Sequence, residues 1–309
     1  MFFPTAGIEV SFWVPPLVAF GVSFFASMGG ISGAFLLLPF QMSILGYVNP
    51  SVSATNQVFN VVAIPSGVYR YVKEGRMVWP LAWAVIVGTL PGVFIGAIIR
   101  VAYLPNARTF KLFVACVLAY IGLRLVQGLL KKITGNTAVA ERKFQDAAKR
   151  GCGTDANESC AKVIQFNMTR LKYEFHGEVF DVPTIGIFTL SFVVGIVGGV
   201  YGIGGGAIIA PFFVSVFGLP VYTVAGAALM GTFVTSIAGV TFYQAIAPFY
   251  PTMSVAPDWG LGILFGIGGM VGMYLGARCQ KHVPAKTIKW MLACVILSTA
   301  TKYAFDFFQ

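Results

Sequence analysis

The stretch Gly29-Gly-Ile-Ser-Gly-Ala34 lies inside a long apolar run, and a similar stretch, Gly202-Ile-Gly-Gly-Gly-Ala207, lies inside another. Between residues 30 and 71 the chain matches itself without a gap at an offset of 172, with 12 identities in 42 positions. The match resumes at an offset of 180 on Trp79/Trp259, Gly88/Gly268, Gly92/Gly272 and Gly96/Gly276. Two apolar halves that share a glycine cluster are typical of transporters built from repeats.

The composition indicates an integral membrane protein. Of the 309 residues, 57% are hydrophobic and only 10% are charged, whereas a soluble protein has roughly 25% charged residues. The net charge of +10 comes from Lys and Arg that cluster between apolar runs. The tendency of basic loops to remain in the cytoplasm accounts for this charge, so nucleic acid is not an expected partner.

Apolar runs between charges predict the membrane spans. In the first half these runs are 12–48, 52–69, 78–99 and 109–130, and in the second half they are 183–222, 223–247, 259–277 and 287–305. A spanning helix needs about 20 residues. The first run of each half, with 37 and 40 residues, is therefore too long for one crossing, and the glycine cluster lies near its middle.

Such a run is either one crossing with excess length or a hairpin that returns to its starting side. If both runs are hairpins, the halves are inverted, and 17 Lys and Arg face the cytoplasm against 4 outside. If each run crosses once, the halves are parallel and the counts become 14 and 7. The positive-inside rule favours the first arrangement. The predicted fold is an all-α polytopic membrane protein of two inverted repeats, each a glycine-broken helical hairpin plus three spanning helices.

The chain divides into a first membrane repeat (1–130), an insert (131–182) and a second membrane repeat (183–309). Both termini are expected outside the cell and the insert in the cytoplasm. Within the insert, helix-forming residues fill 137–150, and alternating apolar and polar residues in 163–182 around His176-Gly177 predict a β-hairpin.

The two glycine clusters predict an anion site. Irregular backbone at membrane depth is tolerated where it is buried or lines a watery cavity. Helices that restart at Ala34 and Ala207 would present free N–H groups and the positive ends of their dipoles to an anion. The alternative is that the glycines only allow close helix packing, as the regularly spaced glycines from Gly88 to Gly96 are expected to do.

Amides and hydroxyls near the clusters are able to donate hydrogen bonds to an oxyanion, although they also suit bonds between helices. Thr55, Gln57, Ser236 and Gln244 belong to this polar group, and Asn56, Asn60 and Thr235 are its strongest candidates. The predicted substrate-binding residues are Gly30, Ser32, Gly33, Ala34, Asn56, Asn60, Gly204, Gly205, Gly206, Thr232 and Thr235.

Other chemistry has little support. The acidic residues lie at span ends or in loops, so no carboxylate relay for protons is evident. Arg70 and Arg100, at span ends, are expected to anchor the protein or to extend toward the membrane surface.

Cys152, Cys160 and His176 have no familiar zinc spacing, and Cys116 and Cys294 are interpreted as packing residues. We expect no metal, no cofactor and no enzymatic activity.

The clusters, with Pro39 and Pro211 after them and the turns at Gly46 and Gly218, resemble the TauE/SafE family of sulfite and organosulfonate exporters. The resemblance covers both repeats. Ser32 and Ala34 depart from the second half, which has glycine at both positions, and the insert of about 50 residues is longer than the usual linker. The resemblance implies a carrier of the bacterial inner membrane that moves small sulfur oxyanions outward.

The leading hypothesis is a secondary transporter that exports sulfite or an organosulfonate such as sulfoacetate by alternating access. The alternative is an anion channel, or a carrier for other small organic anions, of the same fold. The expected partners are the small anionic substrate and membrane lipid. The sequence is compatible with a homodimer.

Overall fold

The computed structural model describes residues 1–28, 32–73, 77–130, 162–175, 177–206, 208–279 and 285–308. Most of these residues are helical. Within the described ranges, five helices are long and apolar enough to cross a membrane: Trp79–Ala102, Ala107–Gly128, Thr184–Tyr201, Thr223–Phe249 and Trp259–Gly276. The chain is therefore a multi-pass membrane protein.

The helices of the two halves correspond one to one. The first half contains α1 (Val14–Met28), α2 (Ala34–Ser43), α3 (Ser51–Lys73), α4 (Trp79–Ala102) and α5 (Ala107–Leu130). The second half contains α6 (Thr184–Tyr201), α7 (Ile209–Phe217), α8 (Val221–Ile246), α9 (Trp259–Cys279) and α10 (Ala285–Phe308).

Each over-long apolar run contains two helices. The run 12–48 holds α1 and α2, and the run 183–222 holds α6 and α7. The first break ends at Ala34, as predicted. In the second half α7 begins at Ile209, and the predicted restart at Ala207 lies outside the described residues. The cluster Gly202–Gly206 thus separates a spanning helix from a short one.

Helix α3 has 23 residues but lower mean hydropathy than its neighbours, because it carries a row of polar side chains. These side chains face the protein interior and are fully buried: Ser53, Thr55, Asn56, Gln57 and Asn60. Buried polar groups need hydrogen-bond partners at this depth. The contacts of α3 therefore define the candidate functional region.

Small antiparallel sheets lie at the N-terminus and in the insert. Strands β1 (Phe2–Phe3) and β2 (Ile8–Glu9) form a short hairpin that the sequence did not suggest. Strands β3 (Lys162–Phe166), β4 (Arg170–Phe175) and β5 (Glu178–Pro183) form a sheet in that order. The predicted hairpin corresponds to β4 and β5, and the helix-forming segment 137–150 lies outside the described residues.

The insert sheet is joined to the membrane helices. The Tyr173 hydroxyl of β4 shares a hydrogen bond of 3.0 Å with the Thr223 hydroxyl in the first turn of α8. The Thr184 hydroxyl, where α6 begins, donates to the Asn167 carbonyl at 2.8 Å. Buried residues of β4 alternate with more exposed ones, so one face of the sheet is covered.

The regularly spaced glycines allow close packing, as predicted. A Cβ added to these glycines of α9 would overlap backbone atoms of α1, in the pairs Gly268/Pro16, Gly272/Phe20 and Gly276/Phe24. The corresponding glycines of α4 meet α6 in the pairs Gly88/Ser191, Gly92/Phe192 and Gly96/Ile196. Residue numbers rise together in both sets, so each pair of helices is parallel. Each half thus packs its first helix against the fourth helix of the other half.

Equivalent helices of the two halves run antiparallel where they meet. Contacts between α3 and α8 join Gln57 to Gly239, Asn60 to Ser236, and Tyr71 to Gly226. Contacts between α5 and α10 join Lys111 to Tyr303 and Gly122 to Leu297. In each pair the number rises on one helix as it falls on the other.

Cys116 and Cys294 do not pack inside the chain. Both are free thiols on exposed faces of α5 and α10. The interpretation of these residues as interior packing was wrong, because an apolar run does not reveal which face of its helix meets other helices. Within this single chain, the two thiols face outward.

Candidate functional site

The second glycine cluster is held in a shape that only glycine adopts easily. Gly202 and Gly204 have φ angles of 81° and 75°, in the left-handed region that disfavours a Cβ. A Cβ on Gly206 would overlap the Ala228 carbonyl of α8, and one on Gly205 would overlap Thr89 of α4. Close approach to α4 and α8 therefore explains these glycines locally.

In the first cluster, Gly33 lies against α1. A Cβ at this position would lie 2.9 Å from the Ser23 hydroxyl and 3.2 Å from the Ser23 Cα. Gly30, also a predicted site residue, lies outside the described residues. Both clusters thus bring backbone close to neighbouring helices.

Asn56 of α3 connects the two clusters. Its Nδ2 donates to the Ala34 carbonyl at 3.0 Å and to the Gly202 carbonyl at 3.1 Å. Its Oδ1 accepts from Nε2 of Gln41 at 3.3 Å. One fully buried amide therefore holds the start of α2 in the first half and the end of α6 in the second.

Asn60, one turn further along α3, makes a second connection. Its Nδ2 donates to the Ile203 carbonyl at 2.9 Å and to the Ser236 hydroxyl at 3.3 Å. Its Oδ1 accepts from the Ser32 hydroxyl at 3.2 Å, and the Ser32 oxygen accepts from the Ala34 N–H at 3.3 Å. Asn60 therefore joins residues of both clusters and of α8.

Two threonines of α8, Thr232 and Thr235, face the second cluster. The Gly205 N–H donates to the Thr235 Oγ1 at 3.0 Å, and the Thr235 hydroxyl donates to the Gly231 carbonyl at 2.6 Å. The Thr232 hydroxyl donates to Ala228 of its own helix at 2.8 Å, close to Gly206. The described site residues therefore lie together at the boundary between the halves.

The geometry changes the roles expected of these residues. Sequence reasoning assigned the amides and the cluster N–H groups to an anion. Asn56 and Asn60 instead direct their Nδ2 groups at backbone carbonyls and a hydroxyl, and the N–H groups of Ala34 and Gly205 bond to hydroxyls. These contacts fix the broken backbone in place, as intramembrane structure requires.

Sequence reasoning missed further residues of this region. The Tyr201 hydroxyl donates to the Phe35 carbonyl at 2.8 Å, the Ser53 hydroxyl to Val200 at 3.2 Å, and the Tyr243 hydroxyl to Gly199 at 3.1 Å. The recurrence of Tyr71 as Tyr243 was a usable signal. A tyrosine hydroxyl that recurs at the same place in two apolar runs suggests a hydrogen-bond partner inside the protein. Nothing in the sequence marks Tyr201 or Ser53.

Arg100 is not an interfacial anchor. It is fully buried, and its guanidinium carbon lies 3.7 Å from the centre of the Phe110 ring. The guanidinium donates to the Leu104 carbonyl and, at 3.4 Å, to the Val48 carbonyl. The prediction that it extends toward the surface was wrong, because the loops at its end of α4 fold over it. Arg100 ties these loops together.

Acidic side chains in the described helices are confined to the last turns of α10, where Asp306 lies. Asp258 precedes α9 and caps it, accepting from the Leu261 N–H at 3.0 Å and from the Ala6 N–H at 3.3 Å. No carboxylate therefore lies midway along a described helix.

The described residues contain no cluster of three or more His, Cys, Asp or Glu able to hold a metal ion. Cys152, Cys160 and His176, whose spacing fits no familiar zinc pattern, lie outside the described residues. The described site consists of backbone, amides and hydroxyls. These groups donate and accept hydrogen bonds.

Comparisons with known proteins assign the family. The model of the family described as sulfite exporter TauE/SafE matches residues 16–303, which include both glycine clusters and all the helices from α2 to α9. Neither the curated proteins nor the solved structures give a match. Since the family model covers most of the chain, the protein belongs to the TauE/SafE family of sulfite exporters, which are transporters of sulfur compounds rather than enzymes.

Proposed function

We propose that the protein is a secondary transporter that exports small sulfur oxyanions, such as sulfite or sulfoacetate, across the inner membrane by alternating access. Family membership supports the substrate class. The observation that carries the mechanism is the position of Asn56 and Asn60, which join the glycine-broken backbones of the two halves. The substrate site then lies between the clusters, where the broken helices of the two halves meet.

We further propose that the halves are inverted repeats. The antiparallel contacts of α3 with α8 and of α5 with α10 support this arrangement. In addition, α1 and α3 both lie parallel to α9, so α2 returns the chain to its starting side between them. Rocking of one half against the other would expose the clusters to each side in turn.

Transport is tested with the purified protein in liposomes. We expect saturable uptake of labelled sulfite, sulfoacetate or sulfolactate above that of empty vesicles, and counterflow when vesicles are preloaded. The complete burial of Asn56 and Asn60 favours a carrier over an open channel. Absence of flux for every small oxyanion would contradict the proposal, and currents of thousands of ions per second would instead identify a channel.

The proposed orientation is tested by cysteine labelling. Helices α3 and α8 are antiparallel, so Lys73 and Thr252, which lie at and beyond their C-terminal ends, belong to opposite sides. In a chain whose native cysteines are replaced by serine, we expect Thr252→Cys to react with an impermeant thiol reagent from outside. Lys73→Cys should react only after the membrane is permeabilised. Labelling of both from one side would refute the inverted arrangement.

A further inference from the structure

Gln57 differs from its polar neighbours on α3, Asn56 and Asn60, because neither end of its amide is hydrogen-bonded to a described residue. Its side chain is fully buried, yet neither Nε2 nor Oε1 has a hydrogen-bond partner among the residues that the structure describes. Asn56 and Asn60, beside it on α3, use both ends of their amides. A buried amide without partners is unfavourable unless something else satisfies it.

The position of Gln57 places its amide at the boundary between the halves. The carboxamide lies against Gly239 of α8, and its nitrogen is 2.8 Å from where a Cβ on that glycine would be. The contact of Asn60 with Ser236 lies one turn away along both helices. Gln57 therefore lies beside the amides of Asn56 and Asn60, which join the broken backbones of the two halves.

The repeat provides an internal comparison. At the offset of 172, Leu229 of α8 corresponds to Gln57, and Gly67 of α3 corresponds to Gly239. Leu229 packs on Gly67, with its Cδ1 3.4 Å from where a Cβ on the glycine would be. A leucine thus fills the equivalent place in the other half, so packing against a glycine does not require an amide.

We propose that Gln57 contacts the transported anion and selects oxyanions that carry their own O–H group, as hydrogen sulfite does. This inference rests on the proposed transport function. An amide offers donors at Nε2 and an acceptor at Oε1. An anion with both O⁻ and O–H satisfies both ends at once, whereas an anion with acceptors alone leaves Oε1 unpaired. Such an anion carries its own proton, in a protein whose described helices hold no carboxylate at mid-length.

The test compares sulfite, supplied at a pH at which hydrogen sulfite is abundant, with methanesulfinate, in which a methyl group replaces the O–H group of hydrogen sulfite. In liposomes containing the native protein, we expect transport to favour hydrogen sulfite by at least about tenfold, since sites built for an O–H group discriminate strongly against analogues that lack it. In Gln57→Leu and Gln57→Met, sulfite flux should fall by about tenfold or more and the preference should shrink to about twofold. Thermal stability should not fall, because an unpaired amide is replaced by an apolar group.

The control is Gln127→Leu, which removes an exposed glutamine from α5 and should leave flux and preference unchanged. Folded Gln57 variants that keep the native flux and preference would overturn the assignment of Gln57 alone. Native protein that transports both anions equally would overturn the proposed selectivity. Native protein that transports neither, nor any other small oxyanion, would overturn the transport function and the inference with it.

Discussion

An Asn56→Leu variant is expected to lose at least about tenfold of its transport rate, because the hydrogen bonds that hold both glycine-broken backbones disappear together. The substitution removes the bonds to the Ala34 and Gly202 carbonyls and the bond from Gln41. At about 0.5–1.5 kcal/mol each, and more where a buried carbonyl is left unpaired, the unfolding free energy should fall by about 2–4 kcal/mol. Distortion of the site then reduces the flux of any folded protein.

Thermal unfolding in detergent and sulfite flux in liposomes measure the two effects. Thr241→Val is a matched control, since the Thr241 hydroxyl is exposed and bonds only to carbonyls of its own helix. It should behave as the native protein does. An Asn56→Leu protein with native stability and native flux would show that Asn56 does not hold the clusters. The substrate site would then lie elsewhere in the protein.

A Gly272→Val variant is expected to prevent the close packing of α1 on α9. A Cβ at this position would overlap the Phe20 carbonyl of α1, and a backbone atom cannot rotate away as a side chain can. Overpacking of an interior typically costs about 1–3 kcal/mol, and here a whole helix must shift, so we expect at least about 3 kcal/mol. The yield of folded protein in detergent and its unfolding temperature provide the measurement.

Gly21→Val controls for the effect of valine in a helix. Gly21 lies in α1, and a Cβ there meets nothing within 4 Å, so this change should cost only the small difference in helix propensity. Equal stability of Gly21→Val and Gly272→Val would contradict the packing role of the α9 glycines. Gly92→Val, at the equivalent place in α4, should behave like Gly272→Val, because its Cβ would overlap the Phe192 carbonyl of α6.

The helices and their breaks could be predicted because hydropathy and helix length have direct physical meaning in a bilayer. The break before Ala34 and the spacing of Gly268, Gly272 and Gly276 needed no knowledge of distant contacts. To predict which helix those glycines contact, knowledge of distant contacts is required. The repeat shows that α4 and α9 are equivalent, but not that α9 packs on α1.

The site could be located from the sequence, but its chemistry could not be assigned. Asn56, Asn60, Thr235 and the described cluster residues do come together. A polar side chain in an apolar run has two possible partners, substrate and backbone, and only geometry distinguishes them. In Asn56 and Asn60 the amide nitrogens bond to backbone, while neither end of the Gln57 amide has a partner within the described part of the chain. Arg100 was misjudged for a similar reason, since nearness to a span end does not determine burial.

The exchange of first helices between the halves has a consequence for biosynthesis. Helix α1 leaves the ribosome long before its glycine-lined partner in α9, which ends some 250 residues later. At about 5–20 residues per second, α1 waits roughly 12–50 s in the membrane before that partner is made. Neither half is able to complete its own packing, so a chain truncated before α9 should be recognised as unassembled and degraded.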